Sequence, residues 1–411
     1  MSKYIKRQDK LINSVGNNSI IYIYSNNLVY RSNDEAYPFS LDNNFYYLTG
    51  LTDSNMILEI SMIDNVVNKK IYAQKHDPIA AKWVGDRLQE QEIINISGIN
   101  NLVSIDQFDN YFTSFHNNYR TNNVNYYLDL YNFGGNNTSI WAFNIAKRLF
   151  NEYGIVANDI HKYFVEMRQI KDQSEVDAII KSIDITKNAL YNLMTKTKIN
   201  DNEMLAEAYF NFGLMEQGCK NTAFSSIIAS GKNATVLHYN DNNSNIKDNT
   251  MLLCDLGARY NYYSADITRT FPVSGKFTTR QKELYNLVLE GQLKVIENAR
   301  EGITLKGLNQ ILIDHYKENL HKYGLDKDVS EYYFHSVSHM LGLDTHDIDN
   351  CRGNTVLKRG MVITAEPGLY VEDEEIGIRI EDDILITDDK AIVLSKDIVK
   401  TVEDIERLLN K

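Results

Sequence analysis

Residues 254–271 read CDLGARYNYYSADITRTF, and this stretch predicts an antiparallel hairpin with one acidic residue in each strand. A two-residue turn at Tyr260 and Asn261 would place Asp255 directly opposite Asp266. Directly opposed residues have Cβ atoms about 5 Å apart, and like charges at that distance destabilise a hairpin unless something neutralises them. A divalent cation held between the two carboxylates would do so.

A second acidic hairpin is predicted over residues 361–386, where MVITAEPGLY and EIGIRIEDDILI flank a short acidic segment. A turn in the middle of that segment would place Glu366 opposite Glu381. Pro367 removes one backbone donor from the first strand, so this register is approximate. In the second strand, Arg379 shares one face with Glu381, because side chains alternate between the two faces of a strand.

Two acidic hairpins mean more together than either does alone. One acidic pair by itself is most simply a solvated hairpin face, since exposed hairpins are rich in carboxylates. Two pairs in equivalent hairpins indicate that two halves of a duplicated fold meet at a shared site. A partly dry cleft cannot hold four carboxylates unless some protonate or cations compensate, and two divalent ions would balance the charge.

A histidine group precedes the second hairpin. His335, His339 and His346 lie in YYFHSVSHMLGLDTHD, and His238 lies further upstream. The first two are four residues apart and could share a helical face, but the nearby turn residues make a loop or a strand end an equal alternative. One imidazole beside four carboxylates suits Mn²⁺ or Co²⁺ and also accepts Zn²⁺ or Fe²⁺.

The composition is that of an ordinary globular protein, with 43% apolar and 24% charged residues over a length of 411. The net charge of −12, without a basic block, argues against a nucleic-acid binder or an anionic-membrane anchor. The cysteines Cys219, Cys254 and Cys351 are too far apart to indicate a disulfide framework. No apolar run suits a signal peptide or a membrane helix, so we expect a soluble, cytoplasmic protein.

The pattern of the chain predicts an α/β unit followed by an α+β unit. Short β-like runs in the first part cover 19–25, 45–49, 56–63, 70–74 and 124–130. Helices are predicted over 139–153, from the capping box of Asp172 and Glu175 onward, and over 279–300 and 304–323. Most other segments after residue 225 have the pattern of strands.

The sequence resembles a known family, the pita-bread metallopeptidases, and specifically aminopeptidase P (Xaa-Pro aminopeptidase). The likeness is carried by DLGARYNYYSADITRTF, HSVSHMLGLDTHD, ITAEPGLY and GIRIEDD. It extends to MRQIKDQSE, SSIIASGKNATVLHYNDN, SNDEAYPFSLDNNFYYLTG and KWVGDRL. The resemblance implies that residues 1–158 form the family's non-catalytic α/β domain and that residues 159–411 form a pita-bread catalytic domain.

The resemblance also implies the metal ligands. Asp255 would chelate one ion, Asp266 and Glu381 would bridge two ions, and His339 and Glu366 would complete the second. Two divalent ions follow from this set, with Mn²⁺ expected and Co²⁺, Zn²⁺ or Fe²⁺ as alternatives.

Further residues gain a role from the same resemblance. His238 and His346 would contact the substrate and the tetrahedral intermediate, and His335 would line the proline pocket. Residues that match the family's ligand-supporting or proton-handling group are Arg379, Tyr370 and Asp34. Trp83 resembles an aromatic lid residue that a neighbouring subunit can supply, which implies a homo-oligomer, either a dimer or a tetramer.

Two departures from the family pattern are visible. Ser336 stands where a glycine is usual, and the stretch from His346 to Glu366 is short and contains Cys351 and Arg352. Neither departure touches a ligand. Because the stretch that contains Arg352 departs from the family pattern, no role is carried over to this arginine.

The implied activity is hydrolysis of the N-terminal Xaa-Pro bond by a metal-bridging hydroxide. Glu366 would move the proton, while His238 and His346 would stabilise the oxyanion and the leaving group. The substrates would be peptides with proline in second position. A prolidase, which cuts Xaa-Pro dipeptides only, is the alternative enzyme. A peptide-binding relative that has lost catalysis is the alternative outside the enzymes.

Overall fold

The computed structural model describes residues 2–119, 124–131, 139–349 and 353–410. The chain divides into two compact units, Met1–Met167 and Arg168–Lys411. The domain boundary predicted from the sequence lies at residues 158 and 159. Cys351 and Arg352 lie outside the described residues.

The first unit is built on a mixed sheet. Its strands are β1 (Ser19–Tyr24), β2 (Ile57–Ile63), β3 (Val66–Ala73), β4 (Leu102–Ser104), β5 (Asn125–Leu128) and β6 (Asn158–Asp159). Among the described residues their order is β4-β3-β2-β1-β5-β6, with β1 antiparallel to β2 and parallel to β5. Parallel neighbours need crossover connections, which helices provide. The α/β character predicted for the N-terminal part is confirmed.

The helices of the first unit correct one prediction. They are α1 (Lys3–Val15), α2 (Asn43–Thr49), α3 (Pro78–Val84), α4 (Glu90–Ser97), α5 (Phe108–Tyr119), α6 (Ile140–Tyr153) and α7 (His161–Arg168), which ends at the border of the unit. Residues 45–49 were predicted as a strand, and this is wrong. Their aromatic side chains favour a strand, but Asp42 caps the helix by accepting the Phe45 N–H at 2.6 Å. Gly50 ends it in the left-handed region at φ 70°.

The second unit repeats one arrangement twice. Its helices are α8 (Gln173–Lys196), α9 (Glu203–Glu216), α10 (Thr279–Asn298), α11 (Leu305–Asn319) and α12 (Val402–Leu409). Its strands are β7 (Ile227–Ser230), β8 (Met251–Leu256), β9 (Arg259–Tyr260), β10 (Tyr263–Ser264), β11 (Ile267–Pro272), β12 (Val362–Ala365), β13 (Gly368–Val371), β14 (Ile376–Arg379), β15 (Asp382–Ile386) and β16 (Ala391–Val393). The helix pair α8 and α9 precedes the sheet β11-β8-β7, and the pair α10 and α11 precedes the sheet β12-β15-β16. This is the duplicated α+β architecture that was predicted.

The first acidic hairpin differs from its predicted register. Asp255 pairs with Thr268, because the turn residues are Asn261 and Tyr262, both with positive φ, at 48° and 66°. A two-residue turn of this kind needs positive φ at both positions, and asparagine tolerates it well. The predicted direct opposition of Asp255 and Asp266 is therefore wrong. A shift of two residues keeps every side chain on its face, so the two aspartates are diagonal neighbours on the same face.

The second acidic hairpin has the predicted register. Thr364 pairs with Asp383 before the gap at the two glutamates, and Gly368 pairs with Arg379 after it. The same register continued through the gap sets Glu366 opposite Glu381. The turn is a short 3-10 segment, Glu372–Glu374, followed by Glu375 in the left-handed region at φ 53°.

Two other sequence expectations concern cysteines and membrane segments. Cys219 and Cys254 are buried and carry free thiols, and Cys351 is outside the described part of the chain. Among the described residues, no helix combines the length and the apolar character needed to cross a membrane.

Candidate metal centre

Five side chains from two halves of the second unit meet at one point. Asp255 lies on β8 and Asp266 lies directly before β11, while Glu366 and Glu381 lie in the gap between the two parts of the second hairpin. His339 lies in an extended segment that runs beside β12, where its carbonyl accepts a backbone N–H from Thr364. Ligand atoms of Asp266, His339 and Glu381 all lie within 4.8 Å of one another. The structure therefore brings the five predicted ligands together.

His339 presents one ring nitrogen to the carboxylates. Its Nε2 lies 3.4 Å from Oδ2 of Asp266 and 3.4 Å from Oε1 of Glu366. Its Nδ1 lies 3.0 Å from the carbonyl oxygen of Met340, which can only accept a hydrogen bond. The proton therefore sits on Nδ1, and the lone pair of Nε2 is available to a metal ion, an arrangement common among histidine ligands.

Asp255 has one paired and one unpaired oxygen. Its Oδ2 accepts a hydrogen bond from Nη2 of Arg379 at 2.6 Å. Its Oδ1 is buried and has no hydrogen-bond partner among the described residues. A buried carboxylate oxygen without a donor is costly, and coordination of a cation removes that cost.

Burial of so many acids has an electrostatic cost. Desolvation, followed by the charges of neighbouring carboxylates such as Glu381, raises the pKa of Asp266 well above its usual range. Desolvation and the charge of Glu366 raise the pKa of Glu381 in the same way. Desolvation also raises the pKa of Glu366. Carboxylates that resist ionisation when no cation is near fit a site whose charge is balanced by divalent ions. Four carboxylates with one imidazole match a hard to borderline metal.

Two threonines support the glutamates. Thr268, which stands opposite Asp255, donates from Oγ1 to Oε2 of Glu381 at 2.6 Å. Thr364 donates from Oγ1 to Oε1 of Glu366 at 3.2 Å. Hydrogen bonds of this kind orient metal-ligating carboxylates.

A hydrogen-bonded chain runs from Arg379 to His335 beside the ligands. Nη1 of Arg379 donates to the hydroxyl of Tyr370 at 3.0 Å, and that hydroxyl lies 2.9 Å from Nε2 of His335. Nδ1 of His335 lies 2.8 Å from the carbonyl oxygen of Ser336 and donates to it. The direction of the chain is therefore fixed, with the Tyr370 hydroxyl donating to Nε2. Desolvation, with a contribution from Arg379, lowers the pKa of His335 to about 3, so the ring is neutral.

Two cavities open on the ligands and share His238 and His346. One has a volume of about 470 Å³ and is lined in part by Phe224 and Ile227. The other has a volume of about 280 Å³ and is lined in part by His335. Desolvation and the neighbouring imidazoles lower the pKa of His346 to about 4, and its ring centre lies 4.3 Å from that of His339. The three predicted substrate-contacting histidines therefore line the space beside the ligands.

Two predicted site residues belong to the first unit. Asp34 is exposed in a bend between Tyr30 and Ala36, which form an isolated bridge. Trp83 lies on α3 and is 85% exposed. The roles that the family resemblance implies for these two residues stay predictions.

Glu203 is one support of the site that the sequence did not reveal. Its side chain is fully buried and accepts five hydrogen bonds of 2.7–3.1 Å, from Ser230 (N and Oγ), Asn233 Nδ2, Tyr239 OH and Ser244 N. These donors bracket His238 in the chain. In the sequence Glu203 resembles an ordinary acidic residue in the first turn of a helix, so no local signal marks it.

A second unrecognised support lies next to His346. Asp347 is buried and pairs with Nη2 of Arg168 at 2.5 Å and with Nζ of Lys171 at 3.1 Å. Both cations lie in MRQIKDQSE, a stretch that carries the family resemblance but received no role from the sequence.

Comparisons with known proteins agree with this geometry. Residues 177–388 match the model of metallopeptidase family M24, and residues 4–124 match the model of the aminopeptidase P N-terminal domain. The chain is 30% identical to the Xaa-Pro aminopeptidase of Haemophilus influenzae, over 99% of this chain and 97% of that protein. It superimposes on aminopeptidase P from E. coli with the inhibitor Pro-Leu with a TM-score of 0.89 and 27% identity, covering 99% of this chain and 98% of that one. A zinc-substituted form of the E. coli protein in complex with product gives 0.89 at 28% identity, with the same coverage.

Proposed function

The chain belongs to metallopeptidase family M24, and we propose that it is an Xaa-Pro aminopeptidase, which releases the N-terminal residue of a peptide whose second residue is proline. It is a metal-dependent hydrolase. The observation that carries the specific proposal is the convergence of Asp255, Asp266, His339, Glu366 and Glu381 beside a cavity lined by His335.

Divalent cations at this site would polarise the scissile carbonyl and lower the pKa of the attacking water. Asp255, Asp266, His339, Glu366 and Glu381 would hold them. Glu366 would take the proton of the water on a carboxylate oxygen and return it to the prolyl nitrogen as the peptide bond breaks.

His238 and His346 would bind the reacting part of the peptide. Both line the two cavities, and the lowered pKa of His346 keeps its ring neutral, with one N–H available to an oxyanion. The neutral state of the His346 ring matters because a cationic ring would compete with the metal ions for the same carboxylates.

The cavity beside His335 suits a proline ring. A tertiary amide has no N–H, so its subsite needs no acceptor. Nδ1 of His335 already donates to Ser336, and Nε2 already accepts from Tyr370, so the ring offers no acceptor to a substrate. An ordinary peptide would gain no hydrogen bond from His335 for its N–H, and it would lack the ring that fills this subsite.

Three finer points belong to the same proposal. The oxygen-rich ligand set supports Mn²⁺ as the ion, with Co²⁺, Zn²⁺ or Fe²⁺ as alternatives. The exposure of Trp83, together with an α3 helix in which no residue is buried, supports a homo-oligomer. The free thiols of Cys219 and Cys254 support a reducing compartment such as the cytoplasm.

The test is a peptide series with metal analysis. We expect the purified protein to hold divalent metal and to release the first residue from an Xaa-Pro-Xaa tripeptide. Hydrolysis of Xaa-Pro dipeptides with no hydrolysis of longer peptides would identify a prolidase instead. Metal binding without hydrolysis of either peptide would contradict an enzymatic role.

A further inference from the structure

The second acidic hairpin contains a break at the two glutamates. The backbone N–H groups of Thr364 and Glu366 point away from β15 and donate to the carbonyls of His339 and Val337. Since donors alternate along a strand, the backbone nitrogens of Ala365 and Pro367 face β14 and β15. The register pairs Ala365 with Asp382 and, one step beyond the glutamates, Pro367 with Ile380.

Only one of the two backbone hydrogen bonds between Pro367 and Ile380 can form. The Ile380 N–H donates to the carbonyl of Pro367 at 3.3 Å. The return bond would need an N–H on Pro367, and proline has none. The carbonyl of Ile380 therefore loses its partner in the ladder at the residue directly before Glu381.

Gln292 replaces the missing donor. It lies on α10, is fully buried, and donates from Nε2 to the carbonyl of Ile380 at 3.0 Å. The same Nε2 donates to the carbonyl of Ala365 at 3.0 Å. One amide group thus binds the residue directly before Glu366 and the residue directly before Glu381.

The amide of Gln292 is held in one orientation. Its Oε1 accepts from Nζ of Lys400 at 3.0 Å, and the same Nζ pairs with Oδ2 of Asp382 at 2.7 Å. An amide turned over would place its NH₂ against the ammonium and its oxygen against two carbonyls. The Lys400 ammonium therefore keeps Nε2 of Gln292 facing the two strands.

We propose that Gln292 is a positioning residue for the metal centre, which holds the backbones before Glu366 and Glu381 at the spacing that their carboxylates need. This role rests on the proposed function, since it assumes that the two glutamates bind metal. Groups that orient metal ligands typically contribute 10- to 100-fold to metal affinity or activity. Gln292 would act in this way from a position that touches neither substrate nor metal.

The first test compares Gln292→Met with a matched control. Methionine keeps the volume and removes the amide. Gln281 is the control, because it is a buried glutamine on the same helix that donates from Nε2 to a backbone carbonyl, that of Asn249. We expect Gln292→Met to weaken Mn²⁺ binding about 10- to 100-fold in titrations of metal-free protein, and to reduce the rise in melting temperature on Mn²⁺ addition. Gln281→Met should lower the melting temperature of the metal-free protein and leave Mn²⁺ affinity unchanged.

The second test restores the missing donor. Pro367→Ala supplies a backbone N–H opposite Ile380, so Gln292→Met should weaken Mn²⁺ binding less in that background, a coupling that a double-mutant cycle measures. If Gln292→Met alone does not fold, the double variant should fold and bind Mn²⁺, and its failure to do so would contradict the inference.

Wild-type Mn²⁺ affinity in Gln292→Met, or an equal loss in both backgrounds, would also contradict it. Failure of the wild-type protein to bind any of the four candidate ions, or to cleave Xaa-Pro-Xaa when loaded with them, would instead overturn the proposed function.

Discussion

Arg379 and Asp255 form a nearly buried ion pair in which Nη2 lies 2.6 Å from Oδ2. The same guanidinium donates Nη1 to the hydroxyl of Tyr370 at 3.0 Å and Nε to Oγ1 of Thr268 at 3.2 Å. Arg379 thus fixes one oxygen of Asp255. The other oxygen is buried and has no donor among the described residues, and we propose that it binds a cation. Three separate groups depend on one planar side chain.

Replacement of Arg379 by lysine should therefore be harmful although the charge is kept. An ammonium cannot reproduce a planar fork with donors in three fixed directions. We expect Arg379→Lys to lower kcat about 10- to 100-fold at saturating metal. Arg280→Lys is the control, because Arg280 makes a two-point contact with Glu374 but is partly exposed. Similar losses in the two variants would show that the Asp255 contact has no special role.

Removal of a predicted bridging ligand should abolish activity. Asp266→Ala or Glu381→Ala removes a carboxylate that would serve both ions, and a loss of several kcal/mol of charge stabilisation corresponds to about a thousandfold or more in rate. Metal content should fall as well. Asp373→Ala removes an exposed carboxylate paired with Lys327 and should leave both the activity and the metal content unchanged. Near-normal turnover with two bound ions in either variant would refute the ligand assignment.

Metal removal should destabilise the protein more as the pH rises. In the metal-free protein, desolvation raises the pKa of Asp266 and of Glu381. The folded state then binds more protons than the unfolded state. The free energy of unfolding is therefore highest below the ordinary carboxyl pKa of about 4, and it falls as the pH rises towards the raised pKa values of the folded state. We expect the melting-temperature gap between metal-loaded and metal-free protein to widen from pH 5 to pH 8. A gap that is constant or that narrows would count against a shared acidic cluster.

Substrates with proline second should be strongly preferred over those with alanine. Both ring nitrogens of His335 already have partners, so an ordinary amide N–H that faces this ring gains no hydrogen bond from it. Such a mismatch costs about 1 to 3 kcal/mol, or roughly 5- to 150-fold in kcat/KM, before the lost ring contacts are counted. The measurement compares Xaa-Pro-Xaa with Xaa-Ala-Xaa under the same metal. Equal rates would exclude a proline-specific pocket.

Glu203 should matter for catalysis through His238. Glu203→Gln turns one accepting carboxylate oxygen into an NH₂ group, so the groups that donate to this oxygen would face another donor. This mismatch costs about 1 to 3 kcal/mol of stability. We expect lower kcat as well, and no further loss of kcat when His238 is already alanine. Glu175→Gln is a chemical match, since Glu175 is buried at a helix start and accepts from the hydroxyl of Tyr263. An equal loss of kcat with and without His238 would show that Glu203 has only a structural role.

The two hairpins show what residue patterns can predict. Alternation placed Asp255 and Asp266 on one face, and this holds despite the wrong register, because a two-residue shift changes neighbours but not faces. The second register was correct because the turn does lie in the middle of the acidic segment, at Glu372–Glu374 and Glu375. The first depended on the position of one turn, and the sequence offers Tyr260–Asn261 and Asn261–Tyr262 as near equals.

The residues that support the ligands could not be predicted in this way. Gln292 lies 73 and 88 residues before the two carbonyls that it binds, and Glu203 lies on a different element from His238. Their roles depend on which carbonyls and N–H groups tertiary packing leaves unpaired, and no local pattern encodes that. The helix at residues 45–49 has a similar explanation, since the Asp42 cap overrides the strand preference of its aromatic side chains.

The division of the five ligands between two halves has a consequence for biosynthesis. Asp255 and Asp266 belong to the first half of the second unit, whereas His339, Glu366 and Glu381 belong to the second half. Chains emerge from the ribosome N-terminus first, so a nascent chain offers all five groups only after Glu381 has been added. If these residues bind the cations as we propose, the complete site forms only after the two halves have joined. Metal uptake at this site would then mark a molecule whose catalytic unit is complete.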